Sequence, residues 1–302
     1  MEDIQLRTKS DLQAVFKEFN IWARKEYGQN FLVDPNMLRF IVRSGSVGPE
    51  DFVIDVGAGT GLLTRLLAQK AWQVWGVEID RRIFDFCSVY TAGLGNVQLL
   101  HQDVLKDKNH LEPGLEARID EILTNNPDKN LKVVSNLPYN ISTLMIPILL
   151  EGTLPMKLMV LTVQKEVGDR LVAVPGTKDY GSLSVIVQAC AKVEVVRVLP
   201  NNVFWPRPKV DSALVRIVPN RRHLDSIEDY DWFKLVTRAL FSSRRKMSIN
   251  AMRKYEGFTL GSDCIETGLL NVGLDPKHRG EVFSVEQIIE LSNELWKIRQ
   301  NP

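Results

Sequence analysis

Polar residues set just past short apolar runs carry the chemistry open to this sequence. The densest cluster is Asn136-Leu137-Pro138-Tyr139-Asn140, directly after Val133-Val134-Ser135. A residue before a proline is pushed to extended geometry, so Leu137 starts no helix and its carbonyl is presented rather than paired. Asn136 brings a side-chain oxygen, Leu137 and Pro138 bring backbone carbonyls, and Tyr139 brings a flat ring. Such a group could hold a planar ring that bears an amine. It could equally be a strand-to-turn junction with a capping Asn. A second cluster, Gly57-Ala58-Gly59-Thr60-Gly61, follows the apolar run Phe52-Val53-Ile54-Asp55-Val56. Glu78 ends the next apolar run, 21 residues after Gly57, and Asp103 stands just past the third. Glycines let a ligand approach the backbone closely, and an acid after the following strand accepts hydrogen bonds from ribose hydroxyls. Asp103 is then placed for an adenine amine. The spacing is Gly-x-Gly-x-Gly where pyrophosphate binders show Gly-x-Gly-x-x-Gly, and a glycine turn by itself is a weak signal. With an acid after each of the next two strands it points to a nucleoside site, S-adenosylmethionine foremost. The alternative is a set of glycines that serve a tight turn only.

Alternating strands and helices must position these groups. Strands are expected at 52–56, 74–77, 97–100, just before Asn136, and at 158–163. Helices are expected at 10–23 with Ser10 as cap, 35–43, 62–70, 141–150 with a kink at Pro147, and from Gln164 onward. The stretch 24–32 is polar and glycine-bearing with Phe31 and Leu32 behind it, either a lid over a ligand or a plain connection. Residues 106–132 read as a polar loop around a short helix. Two β-rich runs, 183–199 and 210–218, flank a segment in which Pro206 and Pro208 forbid regular structure and hold Phe204 and Trp205 stiffly. Beyond Pro219 the pattern is helical, with one helix capped by Asp231 and another at 285–296 capped by Ser284. The expected division is 1–219 and 220–302.

Composition narrows the class. With 302 residues, 44% apolar and 25% charged, the chain has the make-up of a globular protein with room for a large core and a smaller domain. No apolar run approaches the roughly 18 residues of a membrane span. Met1-Glu2-Asp3-Ile4 carries acids and no apolar signal core, so neither export nor a transit peptide is expected. Cys87, Cys190 and Cys264 are odd in number and scattered, as for reduced thiols, and the four histidines show no ligand spacing, so no metal site is expected. The net charge of +1 conceals an asymmetry, because residues 197–256 hold 13 Lys and Arg against 6 Asp and Glu. That is the footprint of a polyanion-binding surface, or a solvated helix face.

Taken together, the motifs resemble the ribosomal RNA adenine dimethyltransferases of the KsgA/RsmA type. The segments that carry the likeness are Gly28-Gln29-Asn30-Phe31-Leu32, Val56-Gly57-Ala58-Gly59-Thr60-Gly61, Val77-Glu78-Ile79-Asp80, Asn136-Leu137-Pro138-Tyr139-Asn140-Ile141-Ser142, Gln164-Lys165-Glu166-Val167, Tyr180-Gly181-Ser182-Leu183-Ser184-Val185, Lys209-Val210-Asp211-Ser212-Ala213 and Arg244-Arg245-Lys246. The resemblance implies an α/β, Rossmann-like methyltransferase domain that binds S-adenosylmethionine, with a smaller C-terminal all-helical domain. By the same resemblance Asn30, Leu32, Gly57, Gly59, Glu78, Asp103 and Asn136 hold the methyl donor. Asn136, Leu137, Pro138 and Tyr139 take the target adenine, and Phe204 closes its other face. Arg244, Arg245 and Lys246, with Arg207 and Lys209, meet rRNA phosphates. The implied partner is small-subunit rRNA within a 30S-type pre-ribosomal particle, met by a cytoplasmic monomer without a metal.

The chain departs from the family's pattern at three places. Residues 106–132 are longer than usual, Arg207 interrupts a proline run, and Tyr27 precedes the lid glycine where Phe or Leu is common. The rival readings are a large-subunit adenine methyltransferase of the erythromycin-resistance type, a DNA amino-methyltransferase, and a non-catalytic assembly or transcription factor on the same fold.

Overall fold

The computed structural model describes residues 8–24 and 27–300. Residues 1–4, read above for the absence of a signal, lie outside the described residues, as do Lys25 and Glu26 of the 24–32 stretch. Nine strands are present among the described residues: β1 (Phe31–Leu32), β2 (Asp51–Val56), β3 (Gln73–Glu78), β4 (Val97–His101), β5 (Asn130–Ser135), β6 (Met156–Gln164), β7 (Ala191–Leu199), β8 (Phe204–Trp205) and β9 (Ser212–Pro219).

Seven of them form one sheet in the order β4-β3-β2-β5-β6-β9-β7. Neighbours from β4 to β6 run parallel, and β9 pairs antiparallel with β6. Parallel neighbours require crossovers, which the helices Leu62–Ala68, Arg81–Tyr90, Pro113–Asn125 and Ser142–Glu151 provide in turn. All six residues of β2 are buried, as befits a strand covered on both faces. From β2 the chain builds outward through β3 and β4, then returns to the other side of β2 with β5 and β6. The strand order therefore reverses between β2 and β5, and in open α/β sheets ligands bind outside the carboxyl ends of the strands at that point. Gly57 follows β2 and Asn136 follows β5.

Several elements differ from the reading of the sequence. The first helix is Lys9–Glu18, capped by Thr8 rather than Ser10 in a reciprocal capping box with Asp11, and Asn20 at φ 55° stands just beyond its end. Residues 183–190 are not β: Ser182–Cys190 is a helix that passes directly into β7. Val185, Ile186, Val187, Ala189 and Cys190 are all buried, so the helix has no polar stripe to reveal its period. The helix Tyr230–Phe241 is capped by Asp229, whose side chain accepts from the Trp232 amide, and not by Asp231. Between residues 106 and 132 the helix Pro113–Asn125 has 13 residues and is no minor turn.

The chain separates into two compact units. One runs to Gly168 and takes in Glu194–Val218; the other takes in Asp169–Val193 and the chain from Pro219 onward. A single break at 219 is thus replaced by a crossing in which 169–193 joins the helical unit. The reason is packing, since Ser182–Cys190 lies against Tyr230–Phe241 and Val285–Gln300. Within that unit Trp232 donates its indole N–H to the Ser292 carbonyl and Tyr180 donates its hydroxyl to the Phe283 carbonyl.

The segment with two prolines is also more regular than expected. Phe204–Trp205 pairs antiparallel with Phe31–Leu32, joining Leu32 to Phe204 and Phe31 to Trp205. Phe204 is 1% exposed and sits in a core with Leu32, Leu38, Ile41 and Leu63. Large-to-small replacement of such a ring costs about 3–5 kcal/mol. Phe204→Ala is therefore expected to lower stability on that scale in urea unfolding. A loss under about 1 kcal/mol would show that the ring is not held in the core.

Candidate active site

A cavity opens at the strand reversal, lined by the turn after β2, the ends of β3 and β4, the 136–141 segment and residues 27–31. Gly57 has φ +69°, and a Cβ placed there would lie 2.8 Å from both Cγ and Cδ of Pro138. Its N–H donates to the Val77 carbonyl at 2.8 Å. Only glycine permits both this backbone and the proline ring against it. Gly59, at φ +56°, likewise leaves its space to the Phe31 ring, 3.2 Å from a Cβ. The glycine turn and the Asn136 cluster, read separately in the sequence, are therefore one packed surface.

Glu78 is buried at the cavity wall. Its two oxygens accept from the Gly59 N–H at 3.0 Å and the Asp80 N–H at 2.9 Å. Burial raises its pKa, and those amides oppose the rise. A carboxylate oxygen carries further lone pairs, so Glu78 can still accept from a ligand's hydroxyls. Asp103 is exposed at the rim, its Oδ1 accepting from the Leu105 N–H at 3.0 Å.

Asn136 is the most constrained polar side chain of the cluster. Its amide nitrogen donates to the Asn30 carbonyl at 2.8 Å, and its oxygen accepts from the Thr162 hydroxyl at 2.5 Å. Asn30 in turn donates to the Gly28 carbonyl at 3.1 Å across a turn that Gly28 enters at φ +61°. Tyr139 lines the cavity with its hydroxyl 2.5 Å from Ser212 Oγ, and burial raises its pKa. Leu137 lines the cavity and is otherwise buried. Pro138 lines the cavity, and its carbonyl accepts from the Ile141 N–H at 3.2 Å in the turn before the Ser142–Glu151 helix.

Other expected site residues lie elsewhere. Leu32 has its side chain in the core and borders only a small hollow beneath the glycine turn. Phe204 does not line the cavity, because its ring fills the core described above. Arg207 and Lys209 are exposed and are not part of the lining, and Arg207 donates to the Asn201 side chain at 2.7 Å. Arg244 is committed within the helical unit. It pairs with Glu281 at 3.2 Å and donates to the carbonyls of Thr177, Lys178 and Tyr180, clamping that loop. Arg245 and Lys246 are exposed. Among the described residues no group of three or more His, Cys, Asp or Glu could hold a metal ion, and no helix is long and apolar enough to cross a membrane.

Three residues at the site were given no role from the sequence. Thr162 had a signal, a hydroxyl within the otherwise apolar 158–163 run. Gln29 links the lid to the turn after β3 by accepting from the Arg24 N–H at 2.7 Å and donating to Asp80, the N-cap of the Arg81–Tyr90 helix, at 3.3 Å. Asp55 was seen only as part of a strand. It lies 1% exposed under the glycine turn and accepts from the Thr64 hydroxyl at 2.7 Å. Burial, with the Glu78 charge adding to it, pushes its pKa up to about 7. A carboxyl whose folded pKa exceeds its unfolded one stabilises the fold when protonated, and that stability is lost as pH rises through the folded pKa. Asp55→Asn, which stays neutral, is therefore expected to melt higher relative to the parent at pH 8 than at pH 5, with no ligand present. Equal differences at the two pH values would refute the raised pKa.

Against known proteins, residues 20–295 match the family model described as ribosomal RNA adenine dimethylase. Ribosomal RNA small subunit methyltransferase A of Bacillus cereus is 38% identical over 298 residues, which is 98% of each chain. The protein of the same name from Bacillus anthracis matches equally. Among solved structures, a dimethyladenosine transferase from Plasmodium falciparum has TM-score 0.68 at 23% identity, covering 85% of this chain and 94% of that one. The 23S rRNA methyltransferase ErmE has TM-score 0.61 at 24% identity, covering 88% of this chain and 99% of that one, and both likenesses bear on the fold alone. From the family match and the near full-length identity, the chain belongs to the ribosomal RNA adenine dimethylase family.

Proposed function

We propose that this protein is an rRNA (adenine-N6,N6)-dimethyltransferase. It transfers methyl groups from S-adenosylmethionine to the exocyclic amines of two adjacent adenosines in a loop near the 3′ end of small-subunit (16S) rRNA, during subunit biogenesis. The observation that carries this is the convergence of Asn136-Leu137-Pro138-Tyr139 with Gly57, Gly59, Glu78 and Asp103 on one cavity. The residues fit the methyl donor: the glycine turn leaves backbone without Cβ atoms at the wall, Glu78 offers acceptors for ribose hydroxyls, and Asp103 stands at the rim for an adenine amine. When bound, S-adenosylmethionine supplies an electrophilic methyl group on a sulfonium.

The chain's own task is to make a poor nucleophile reactive. An adenine amine has its lone pair delocalised into the ring. Accepting its two N–H groups on the Asn136 side-chain oxygen and the Leu137 carbonyl favours a pyramidal nitrogen with the lone pair exposed. Neither acceptor is a base, so positioning and electrostatics do the work. The Tyr139 ring offers a stacking face worth about 1–3 kcal/mol per base. The amine must be unpaired to reach this cavity, which suits a loop or flipped nucleotide. Exposed Arg245 and Lys246, with Arg207 and Lys209, bind rRNA phosphates in a salt-dependent, largely shape-based manner, whereas Arg244 holds the fold beneath them. The protein acts as a cytoplasmic monomer on a 30S-type pre-ribosomal particle.

Near full-length relatives carrying the small-subunit name favour this reading over a large-subunit or non-catalytic one. The deciding measurement is methyl transfer from labelled S-adenosylmethionine to under-methylated small subunits, with product nucleosides identified. Labelled dimethyladenosine is expected, and no transfer to any RNA would sink the proposal. Asn136→Ala is expected to lower turnover by at least about a hundredfold while calorimetry still detects S-adenosylmethionine binding. Unchanged turnover would remove Asn136 from its role.

A further inference from the structure

Asn136 can accept an amine N–H only if its oxygen, and not its nitrogen, faces the substrate. A side-chain amide has two ends of nearly equal shape and opposite hydrogen-bonding character. At one end the partner is the Asn30 carbonyl, 2.8 Å away, which can only accept, so the NH2 group must point there. At the other the partner is the Thr162 hydroxyl, 2.5 Å away, which donates to Oδ1. Thr162 lies near the end of β6, is fully buried, and is paired with Leu214 of β9, one residue past the last β5–β6 pair, Ser135 with Leu161, so its Cα is held by the sheet. The Asn30 carbonyl rests on a two-residue ladder and a glycine turn, a lighter support.

We infer that Thr162 is a positioning residue: the Asn30 carbonyl fixes which end of the Asn136 amide is oxygen, and the Thr162 hydroxyl holds that oxygen in place for the target amine. Its hydroxyl occupies one lone pair of Oδ1 and leaves the other for the substrate. This rests on the proposed role of Asn136, and it adds the residue that makes that role reliable. Thr162 touches neither the substrate nor the methyl donor, and its effect passes through Asn136. The consequence falls mainly on catalysis: Asn136 is one of several residues on the donor's wall, with Gly57, Gly59, Glu78 and Asp103, so a displaced amide weakens S-adenosylmethionine binding far less than it slows transfer.

The test uses the full chain and single-turnover methyl transfer to under-methylated small subunits. Thr162→Val, nearly isosteric without the hydroxyl, is expected to slow transfer by about tenfold to a hundredfold, since small misplacements of a positioning group cost on that scale. Affinities for S-adenosylmethionine and for rRNA, read by calorimetry and gel shift, are expected to change by less than about threefold, well short of the loss in transfer. Thr162→Ser restores most of the rate, and Thr162→Val adds nothing to Asn136→Ala. Parent-like transfer by Thr162→Val beside a slow Asn136→Ala overturns the positioning role alone. Parent-like transfer by Asn136→Ala overturns the proposed chemistry and this inference with it. A slow Thr162→Val that also loses S-adenosylmethionine affinity, or that slows Asn136→Ala further, marks a general structural role and refutes the inference. If Thr162→Val yields no folded protein, Thr162→Ser is compared with Thr162→Cys: a faster Ser supports the inference and equal rates refute it.

Discussion

The arrangement of this site depends on a missing methyl group. Gly57 has no Cβ, and the Pro138 ring occupies the place where one would stand, 2.8 Å from its ideal position. That contact joins the carboxyl end of β2 to the segment that leaves β5. It brings the wall that suits a nucleoside against the cluster that suits an amine. Proline contributes rigidity here, because its fixed φ and the restriction it places on Leu137 leave the 136–139 segment few alternatives. Gly28 makes a similar approach from the other side, where a Cβ would lie 3.1 Å from the Asn140 side-chain oxygen. Close packing of backbone, more than any single polar group, gives the cavity its shape.

Polar groups then fill this shape at a cost in solvation. Asp55 and Glu78 are both buried at the turn, and each is raised in pKa by that burial. A hydroxyl and two backbone amides offset part of the penalty: Thr64 on Asp55, and the amides of Gly59 and Asp80 on Glu78. Two poorly solvated acids beside a cavity favour a ligand carrying hydroxyl donors or positive charge, which agrees with the proposed methyl donor. Polar satisfaction continues outward through Gln29 to the lid and through Thr162 to Asn136. Asn136 and Glu78 are thus each held by residues of neighbouring strands or loops.

The helical unit shows the same separation of structural and binding duties. Arg244 spends its guanidinium on Glu281 and on carbonyls of the 177–180 loop. Its neighbours Arg245 and Lys246 are exposed and available to a polyanion. In a run of three cations, the one nearest the loop builds the platform and the next two face outward. Composition alone could not distinguish them, since all three contribute equally to the local positive charge.

What the sequence by itself determined is the set of features that short-range rules govern. Apolar runs marked β2, β3, β4, β5 and β6, and the glycine turn, Glu78, Asp103 and Asn136 were read at strand ends where the structure places them. Those signals survive because a buried strand is contiguous in sequence and its end is punctuated by glycine, proline or an acid. Only tertiary structure decided the rest. Phe204 could be a stacking wall or a core ring, and pairing with Leu32 across 172 positions of sequence made it core. The Ser182–Cys190 segment is rich in β-branched residues, and burial on all sides let it fold as a helix of the second unit. Thr162 lies 26 residues from the amide oxygen it donates to, and Arg244 lies 66 residues from a carbonyl it clamps. Partners chosen by parallel crossovers and helix packing leave no periodicity in the chain, because the physical contact that selects them forms only after the sheet and the helices have assembled.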